Sequence, residues 1–465
     1  MLHIGMPKDG RKRIVRGKRI HKKKSTKKTK KRGIIVDTAE FKTPKTPKWF
    51  RYGCTGFVYA ILFVVYAALC VRCIKIGMIG GGIVFGVLFV FCIAALVFLI
   101  NSIHRNIVWK TGIKKIWKRV VIGCTIVLLV VTVLLPSVLS VIVYEENFGH
   151  RFETYAPLAF HVSDFDGLQV TECTFPSNKG QMLAGYIYTK GDGDQKGVVV
   201  LAHGFGGGGH NSYMDIVNLF ASNNYLVFAY DATANDKSEG DAAGGLPQGV
   251  IDLDYALRFV KDQEQMKDLP ILLFGHSWGG YSVSAVLSYH PDVKAIVSGA
   301  GFDASMDMME AQGREIAGDA ISVMLPYLSF YEMLKFGAYA DASSLRGFAN
   351  TDAHIMIIHS ADDTTVPPSC GYDKYIKQYK DDPRFVFVHM ETKGHNRLFC
   401  SPESIAYKDA FNEAYQEYAE TLDIELTEEL RAEYIHAHYD VVTANTPDEE
   451  LFGKILAFYD ASINE

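Results

Sequence analysis

The apolar residues divide the chain into two parts at about residue 145. Three uncharged apolar runs, at 52–71, 76–100 and 120–144, come first. Each run is long enough to cross a bilayer core of ~30 Å as a helix. Soluble helices normally carry a polar face, which these runs lack. The sequence therefore predicts three transmembrane helices within residues 52–144, rather than buried helices of a soluble core.

From residue 165 onward, short apolar segments alternate with segments of helical spacing. LQVTECTF and MLAGYIYT predict a hairpin around PSNKGQ, and the predicted buried strands are GVVVLAHG, YLVFAYD, PILLFG, VKAIVSG, HIMIIHS and FVFVHM. Predicted helices include SYMDIVNLFASN, 247–263, 277–289 and 368–380, with further helices at the C-terminus. This alternation is typical of an α/β fold with a mostly parallel sheet covered on both faces. Functional residues are then expected at the carboxyl ends of the strands.

Charge predicts how the chain is oriented in the membrane. Residues 1–53 hold 19 Lys or Arg against 3 Asp or Glu, and the connector 101–119 holds six basic residues and no acid. Basic flanks favour the cytoplasmic side. The tail 1–51 is therefore expected inside and the α/β part, 145–465, outside the cell membrane.

Charge also bears on possible partners. Residues 145–465 contain 21 basic and 49 acidic residues, so no nucleic-acid partner is expected there. The basic tail has two interpretations, an orientation-setting segment or a binder of anionic lipid or nucleic acid. The sequence favours the first, because no RNA-binding signature accompanies the tail.

One short motif has the form of a nucleophile elbow. GHSWGG, at 275–280, puts Ser277 where a predicted strand meets a helix. Asp362 and Asp363 follow a later strand, and His395 follows the next one. His395 could then take the proton from Ser277 while an acid orients the imidazole. The residues alone leave both aspartates as candidates for that acid.

Four motifs occur in the order that the α/β-hydrolase superfamily shows. HGFGGG (203–208), GHSWGG (275–280), DDTTVP (362–367) and GHN (394–396) together resemble bacterial serine aminopeptidase-like and esterase-like hydrolases over residues 165–465. The resemblance implies an α/β-hydrolase fold with Ser277, Asp363 and His395 as the catalytic triad. Its Asp-x-x-Val-Pro pattern falls on Asp363. It also implies an oxyanion hole formed by the backbone N–H groups of Phe205 and Trp278.

The segment 302–350 is inserted between two predicted strands and contains MLPYLSFYEMLKF. It is expected to be either a cap over the active site or a purely structural helical insertion. Cys370 and Cys400 follow the loops of the predicted acid and base, so they either form a disulfide or stay as two free thiols.

Other polar residues suggest no cofactor and no metal. The glycines at 206–209 lack the Gly-Lys-Ser/Thr of a phosphate-binding loop. HAH at 436–438 has no evident third ligand. Structural roles are expected for His203, His276 and His359, and that of His210 stays open.

The expected function is that of a membrane-anchored serine hydrolase that cleaves a carboxylic ester or amide through an acyl-enzyme intermediate. The substrate would be a small, lipid-like or peptide molecule. An acyltransferase with the same triad and a non-catalytic binding module on this scaffold are the alternatives.

Overall fold

A computed structural model describes residues 48–105, 120, 123–125, 127–422 and 426–464. The chain divides into two compact units, Met1–Cys54 and Thr55–Glu465. The first unit is described only from Lys48, where helix α1 begins, and the rest of the fold belongs to the second. The predictions for the basic tail and for most of the connector 101–119 lie outside the described residues.

Helices cover the apolar N-terminal part. They are α1 (Lys48–Lys75), α2 (Ile79–Arg105) and α3 (Leu135–Phe148), the last preceded by a π-helical turn at Val130–Leu134. Within the described ranges, one helix, Gly123–Phe148, is long and apolar enough to cross a membrane, and Ile79–Ala94 is a shorter apolar stretch. Three crossings, and the domain boundaries drawn from them, stay predictions.

Eight strands form one sheet in the order β1-β2-β4-β3-β5-β6-β7-β8. Their bounds are Leu168–Pro176 (β1), Met182–Lys190 (β2), Val198–Ala202 (β3), Leu226–Tyr230 (β4), Ile271–His276 (β5), Ala295–Gly299 (β6), His354–Ser360 (β7) and Phe385–Met390 (β8). The pairs β1–β2 and β2–β4 are antiparallel and every other pair is parallel. The predicted hairpin and mostly parallel sheet are confirmed.

Helices cover both faces of this sheet, and strand β3 shows why its residues are apolar throughout. Val198 and Val200 contribute to one hydrophobic cluster, whereas Val199 and Leu201 contribute to the other. Side chains alternate between faces along a strand, so a strand buried on both faces has no polar positions.

The remaining helices follow in chain order. They are α4 (Met214–Ser222), α5 (Pro247–Asp262), α6 (Trp278–Ala285), α7 (Ser305–Ala317), α8 (Ile321–Phe336), α9 (Ser344–Ala349), α10 (Tyr372–Tyr379), α11 (Pro402–Thr421), α12 (Glu428–His438), α13 (Val441–Ala444) and α14 (Glu449–Asn464). Short 3₁₀ turns lie at Ala156–Leu158, Val162–Asp164, His210–Tyr213, Val286–Ser288, Gly318–Ala320, Gly337–Asp341 and Pro368–Cys370.

Two predicted helices are shorter than expected. The helix predicted at 277–289 ends its α-helical part at Ala285 and finishes as a 3₁₀ turn, shortly before Pro291. The helix predicted at 368–380 begins only at Tyr372, after a 3₁₀ turn that starts at Pro368. Gly371 lies between that turn and α10 with φ −149° and ψ −78°, which is not a helical conformation, so the regular helix begins only after it.

The insertion between β6 and β7 is helical and contains α7, α8 and α9, as predicted for 302–350. Helix α8 packs against α3, where the Tyr144 hydroxyl donates to Glu332 Oε1 at 2.8 Å and Lys335 pairs with Glu145 at 2.6 Å. These contacts join the apolar N-terminal helices to the insertion, so α3 reaches the rim of the catalytic domain.

Candidate active site

Ser277 occupies the turn between β5 and α6 with a strained backbone. Its φ and ψ are 58° and −116°, a left-handed conformation that costs a residue other than glycine about 1–3 kcal/mol. Two hydrogen bonds hold this turn, because Ser277 N–H donates to Gly299 O at 2.8 Å and Ser277 O accepts from Tyr281 N–H at 3.0 Å. The strain presents the hydroxyl at the carboxyl end of the sheet.

A chain of hydrogen bonds links the three predicted triad residues. His395 Nε2 lies 2.9 Å from Ser277 Oγ, and His395 Nδ1 lies 2.7 Å from Asp363 Oδ2. Asp363 is buried, and its other oxygen accepts from the N–H groups of Thr365 and Val366 at 2.9 and 2.8 Å. Those two bonds fix the carboxylate, which leaves Oδ2 free to orient the imidazole.

Asp362 lies beside this chain but does not join it. Its Oδ1 accepts from Ser360 Oγ at 2.6 Å and from Gly394 N–H at 2.8 Å. The second bond holds the loop that carries His395 against the end of β7. The geometry therefore places Asp363, and not Asp362, against the histidine.

The two residues of the predicted oxyanion hole both line the cavity next to Ser277. Trp278 is the first residue of α6, and the first N–H groups of a helix have no partner within the helix. Within the described part of the chain, neither Trp278 N–H nor Phe205 N–H donates to another protein group. The Trp278 ring packs edge-on against Phe205 with centroids 5.3 Å apart, which holds the two segments together.

The cavity around Ser277 has a volume of about 860 Å³ and mostly apolar walls. The C-terminal end of α3 supplies one wall through Val143, Tyr144, Asn147 and Phe148. The helical insertion supplies another part of the wall, including Met308, Met309, Ile316 and Leu328. A cavity of this size and character suits an acyl chain or another apolar group. The contribution of α3 is absent from the sequence prediction.

The neighbouring histidines hold structural positions, as the sequence suggested. His276 Nδ1 lies 3.0 Å from the Tyr213 hydroxyl and its Nε2 lies 3.1 Å from His395 O, so the ring supports the loop of His395. Burial lowers the pKa of His276 to about 3, which keeps it neutral. His359 donates through Nε2 to Val366 O at 2.9 Å, and His203 Nε2 accepts from Ala232 N–H at 2.9 Å.

His210, whose role was open, is buried between two polar groups. Its Nδ1 lies 2.8 Å from Asp231 Oδ1 and its Nε2 lies 2.8 Å from the Tyr188 hydroxyl. Cys370 and Cys400 are free thiols, so the structure matches the alternative of two free thiols and not that of a disulfide. Among the described residues, no group of three or more His, Cys, Asp or Glu is arranged to hold a metal ion.

Comparison with known proteins agrees with this geometry. Residues 193–385 match the family model described as serine aminopeptidase, S33. A caffeoylshikimate esterase from Arabidopsis thaliana is 33% identical over 91 residues, which is 19% of this chain and 27% of that protein's length. The chain thus matches only about a quarter of that relative's length, and the relative's activity is not assigned to this chain.

Two solved structures are similar in fold at low identity. An esterase from Pyrococcus furiosus is 17% identical, with a TM-score of 0.41 over 56% of this chain and 94% of its own. Acetyl xylan esterase 1 from Thermoanaerobacterium is 13% identical, with a TM-score of 0.39 over 60% and 86%. Neither carries an argument about the substrate. Residues 193–385 are thus similar to the serine aminopeptidase family, and the mostly parallel sheet and the strand-to-helix turn at Ser277 agree with an α/β-hydrolase fold.

Proposed function

We propose that this protein is a membrane-anchored serine hydrolase that cleaves a carboxylic ester of a lipid-like substrate. One observation carries the proposal: a hydrogen-bonded chain from Asp363 through His395 to Ser277 ends at a strained serine that faces a large apolar cavity. Such an arrangement supplies a nucleophile, a base and an orienting acid at one point.

The proposed reaction uses only groups of this chain and water. Ser277 Oγ attacks the ester carbonyl while its proton moves to His395 Nε2, and Asp363 stabilises the resulting imidazolium. The N–H groups of Phe205 and Trp278 stabilise the oxyanion. His395 then gives the proton to the departing alcohol, which leaves an acyl-serine. Water, activated by the same histidine, releases the acid and restores the serine.

The cavity walls favour an ester over a peptide with a free amino group. A site for that amine needs carboxylates, and among the described residues that line the cavity Asp215 is the one with a carboxyl group. Burial raises the pKa of Asp215 to about 7, so its negative charge is incomplete at neutral pH. Most of the remaining wall consists of apolar side chains, which suit an acyl chain.

Three membrane crossings are supported by where the helices end. Arg72, close to the end of α1, is buried, and its Nη1 lies 2.5 Å from Asp341 Oδ1 while its Nε donates to Ser329 Oγ at 2.8 Å. Lys75 also pairs with Asp341. Helix α3 ends beside the same insertion. The ends of α1 and α3 therefore lie on the side of the hydrolase domain, as three crossings require.

Exposed apolar side chains support contact with lipid. Many of the large apolar residues of the N-terminal helices face outward, among them Phe57, Val64, Ile74, Ile79, Ile83, Val87, Phe91, Val127, Leu135 and Ile142. Soluble monomers rarely expose apolar surface on this scale. Ile316 of α7 is 89% exposed and also lines the catalytic cavity. We infer that a substrate can pass from the lipid to Ser277 along this rim.

Labelling with a fluorophosphonate tests the proposed function. The reagent requires an activated serine, so peptide mapping of the labelled full-length protein is expected to find the adduct on Ser277. Ser284, which is buried about two turns further along α6 and donates to Gly280 O, is the internal control and should stay unlabelled. An adduct on a different serine would contradict the assignment.

Protease protection tests the proposed topology. Protease added to intact spheroplasts of an expression host should digest residues 145–465 and spare the basic N-terminus, since basic flanks are retained inside. An epitope on each terminus, read by immunoblot before and after lysis, reports both sides. If the catalytic domain resists until the membrane is lysed, the extracellular assignment is wrong.

A further inference from the structure

A second cavity, of about 250 Å³, lies next to the catalytic one. The two cavities share three wall residues, Leu158, Asn396 and Lys408. Asn396 directly follows His395, so the second cavity begins within one residue of the proposed base. The second cavity therefore lies beside the proposed base, across wall residues that it shares with the catalytic cavity.

The walls of this second cavity carry three cations and no carboxylate. The cations are Arg397, Lys408 and Arg431. Arg397 pairs with Asp409, which does not line the cavity. Lys408 Nζ instead contacts Asn445 Oδ1 at 2.9 Å and Cys400 Sγ at 3.3 Å.

Arg431 also lacks an acidic partner within the described ranges of the chain. Its guanidinium lies 5.1 Å from the centroid of the Tyr155 ring, a cation–π contact that leaves the positive charge in place. Lys408 and Arg431 thus lie in one small concave site without an ion-pair partner among the described residues, and Lys408 also interacts electrostatically with Asp215 in the wall of the catalytic cavity. Positive charge arranged in this way attracts an anion.

The elements that build the second cavity lie mainly outside the segment that matches the family model. Arg397 follows the loop of His395, Lys408 lies on α11 and Arg431 lies on α12. All three come after residue 385, where the family match ends. The cavity is thus formed mainly by α11 and α12, which follow His395 and precede α14 along the chain.

We infer that the second cavity is a subsite for an anionic group on the alcohol side of the scissile ester. The inference rests on the proposed function. The acyl chain occupies the apolar cavity beside the insertion, the carbonyl lies at Ser277, and a phosphate, sulfate or carboxylate of the departing alcohol binds Lys408 and Arg431. The substrate class is accordingly an amphiphilic ester with an anionic headgroup.

Two esters with the same acyl chain test the subsite in the full-length protein, in nanodiscs of neutral lipid. One ester is a monoacylglycerol phosphate and the other is the neutral monoacylglycerol. We expect kcat/KM to be about tenfold or more higher for the phosphate ester, because one charge-assisted contact contributes roughly that factor. Lys408→Met should lower this preference about tenfold, and Arg431→Gln several-fold.

Lys454→Met is the matched control. Lys454 is an exposed lysine on α14 that pairs with Glu450 and does not line either cavity, so its loss should leave the preference unchanged. Arg431→Gln, an exposed position, keeps the test valid if Lys408→Met fails to fold.

The outcomes separate the subsite from the proposed function. A wild-type protein that cleaves both esters equally, or a preference that survives in both variants, overturns the subsite and leaves the hydrolase intact. If neither ester is cleaved and Ser277 is not labelled by fluorophosphonate, the proposed function fails. Binding then tests the subsite separately: the affinity of the phosphate ester is compared between Ser277→Ala protein and the Ser277→Ala, Lys408→Met double variant. Equal affinities would overturn the subsite.

Inorganic phosphate distinguishes a substrate headgroup from a free anion. If the headgroup is the ligand, millimolar phosphate should inhibit cleavage of the phosphate ester more than that of the neutral ester. The contrary result is that phosphate inhibits cleavage of both esters equally and that the wild-type protein does not prefer the phosphate ester. The ligand of the second cavity would then be a free anion, and the assignment to the substrate headgroup would be overturned.

Discussion

Ester turnover should fall about 10⁴-fold to 10⁶-fold when Ser277 is replaced by alanine. Removal of the nucleophile ends the covalent route, and what remains is the smaller acceleration from the oxyanion hole and substrate binding. His395→Ala should cause a loss of similar size, because the residues of such a chain act as a unit. The measurement is kcat/KM on a short-chain ester with the purified full-length protein.

Protein stability should hardly change in Ser277→Ala, which makes the kinetic loss interpretable. Alanine at this position keeps the backbone conformation at φ 58° and the two backbone hydrogen bonds that hold the turn. Ser284→Ala is the control, and it should retain activity within a few-fold. Turnover above 1% of wild type in a folded Ser277→Ala protein would mean that another group attacks the ester.

The sequence predicts the position of the site well because the chemistry lies at strand ends. Ser277, Asp363 and His395 each follow a strand whose apolar residues are continuous, and parallel strands bring their carboxyl ends to one edge. The same argument does not separate Asp362 from Asp363. What separates them in the structure is the pair of backbone N–H groups at Thr365 and Val366, which a strand-and-loop prediction cannot place.

The sequence offered the insertion 302–350 as a possible cap, but it did not predict the wall that α3 supplies, because that wall depends on contacts between distant segments. Tyr144 and Glu332 are 188 residues apart, and Arg72 and Asp341 are 269 apart. No periodicity relates such positions. An arginine at the end of an apolar run is consistent with an ordinary flanking charge, and its burial against the insertion is visible only in three dimensions.

The second cavity illustrates the same limit. Arg397, Lys408 and Arg431 are spread over three elements, and along the chain they are typical of solvated helix surfaces rich in both charges. Helix α11 and the loop before it bring the three together next to Asn396. Asp231, just after β4, is likewise understood only in three dimensions, because it is buried and accepts hydrogen bonds from His210 and the Tyr186 hydroxyl.

Gly279→Ala should destabilise the protein by about 3 kcal/mol or more and abolish most of its activity. A Cβ built on Gly279 would lie 1.9 Å from Ala202 O and 2.9 Å from His203 O, so the end of β3 or helix α6 must move. Both neighbours are backbone atoms, which no rotamer change can relieve. The movement would also displace Phe205 relative to Trp278, and with it the spacing of the two N–H groups that are proposed to bind the oxyanion.

Gly453→Ala provides the matched control for this close approach. Gly453 lies on the exposed side of α14 with nothing within 4 Å of an added Cβ, so alanine there should raise the unfolding free energy by about 0.5–1 kcal/mol. Thermal unfolding and kcat/KM of both variants, in the same detergent, give the comparison. A Gly279→Ala protein that matched the wild type in thermal stability and in kcat/KM would contradict this prediction. Strand β3 could then move away from α6 without loss of stability, and the contact at Gly279 would not determine the geometry of the oxyanion hole.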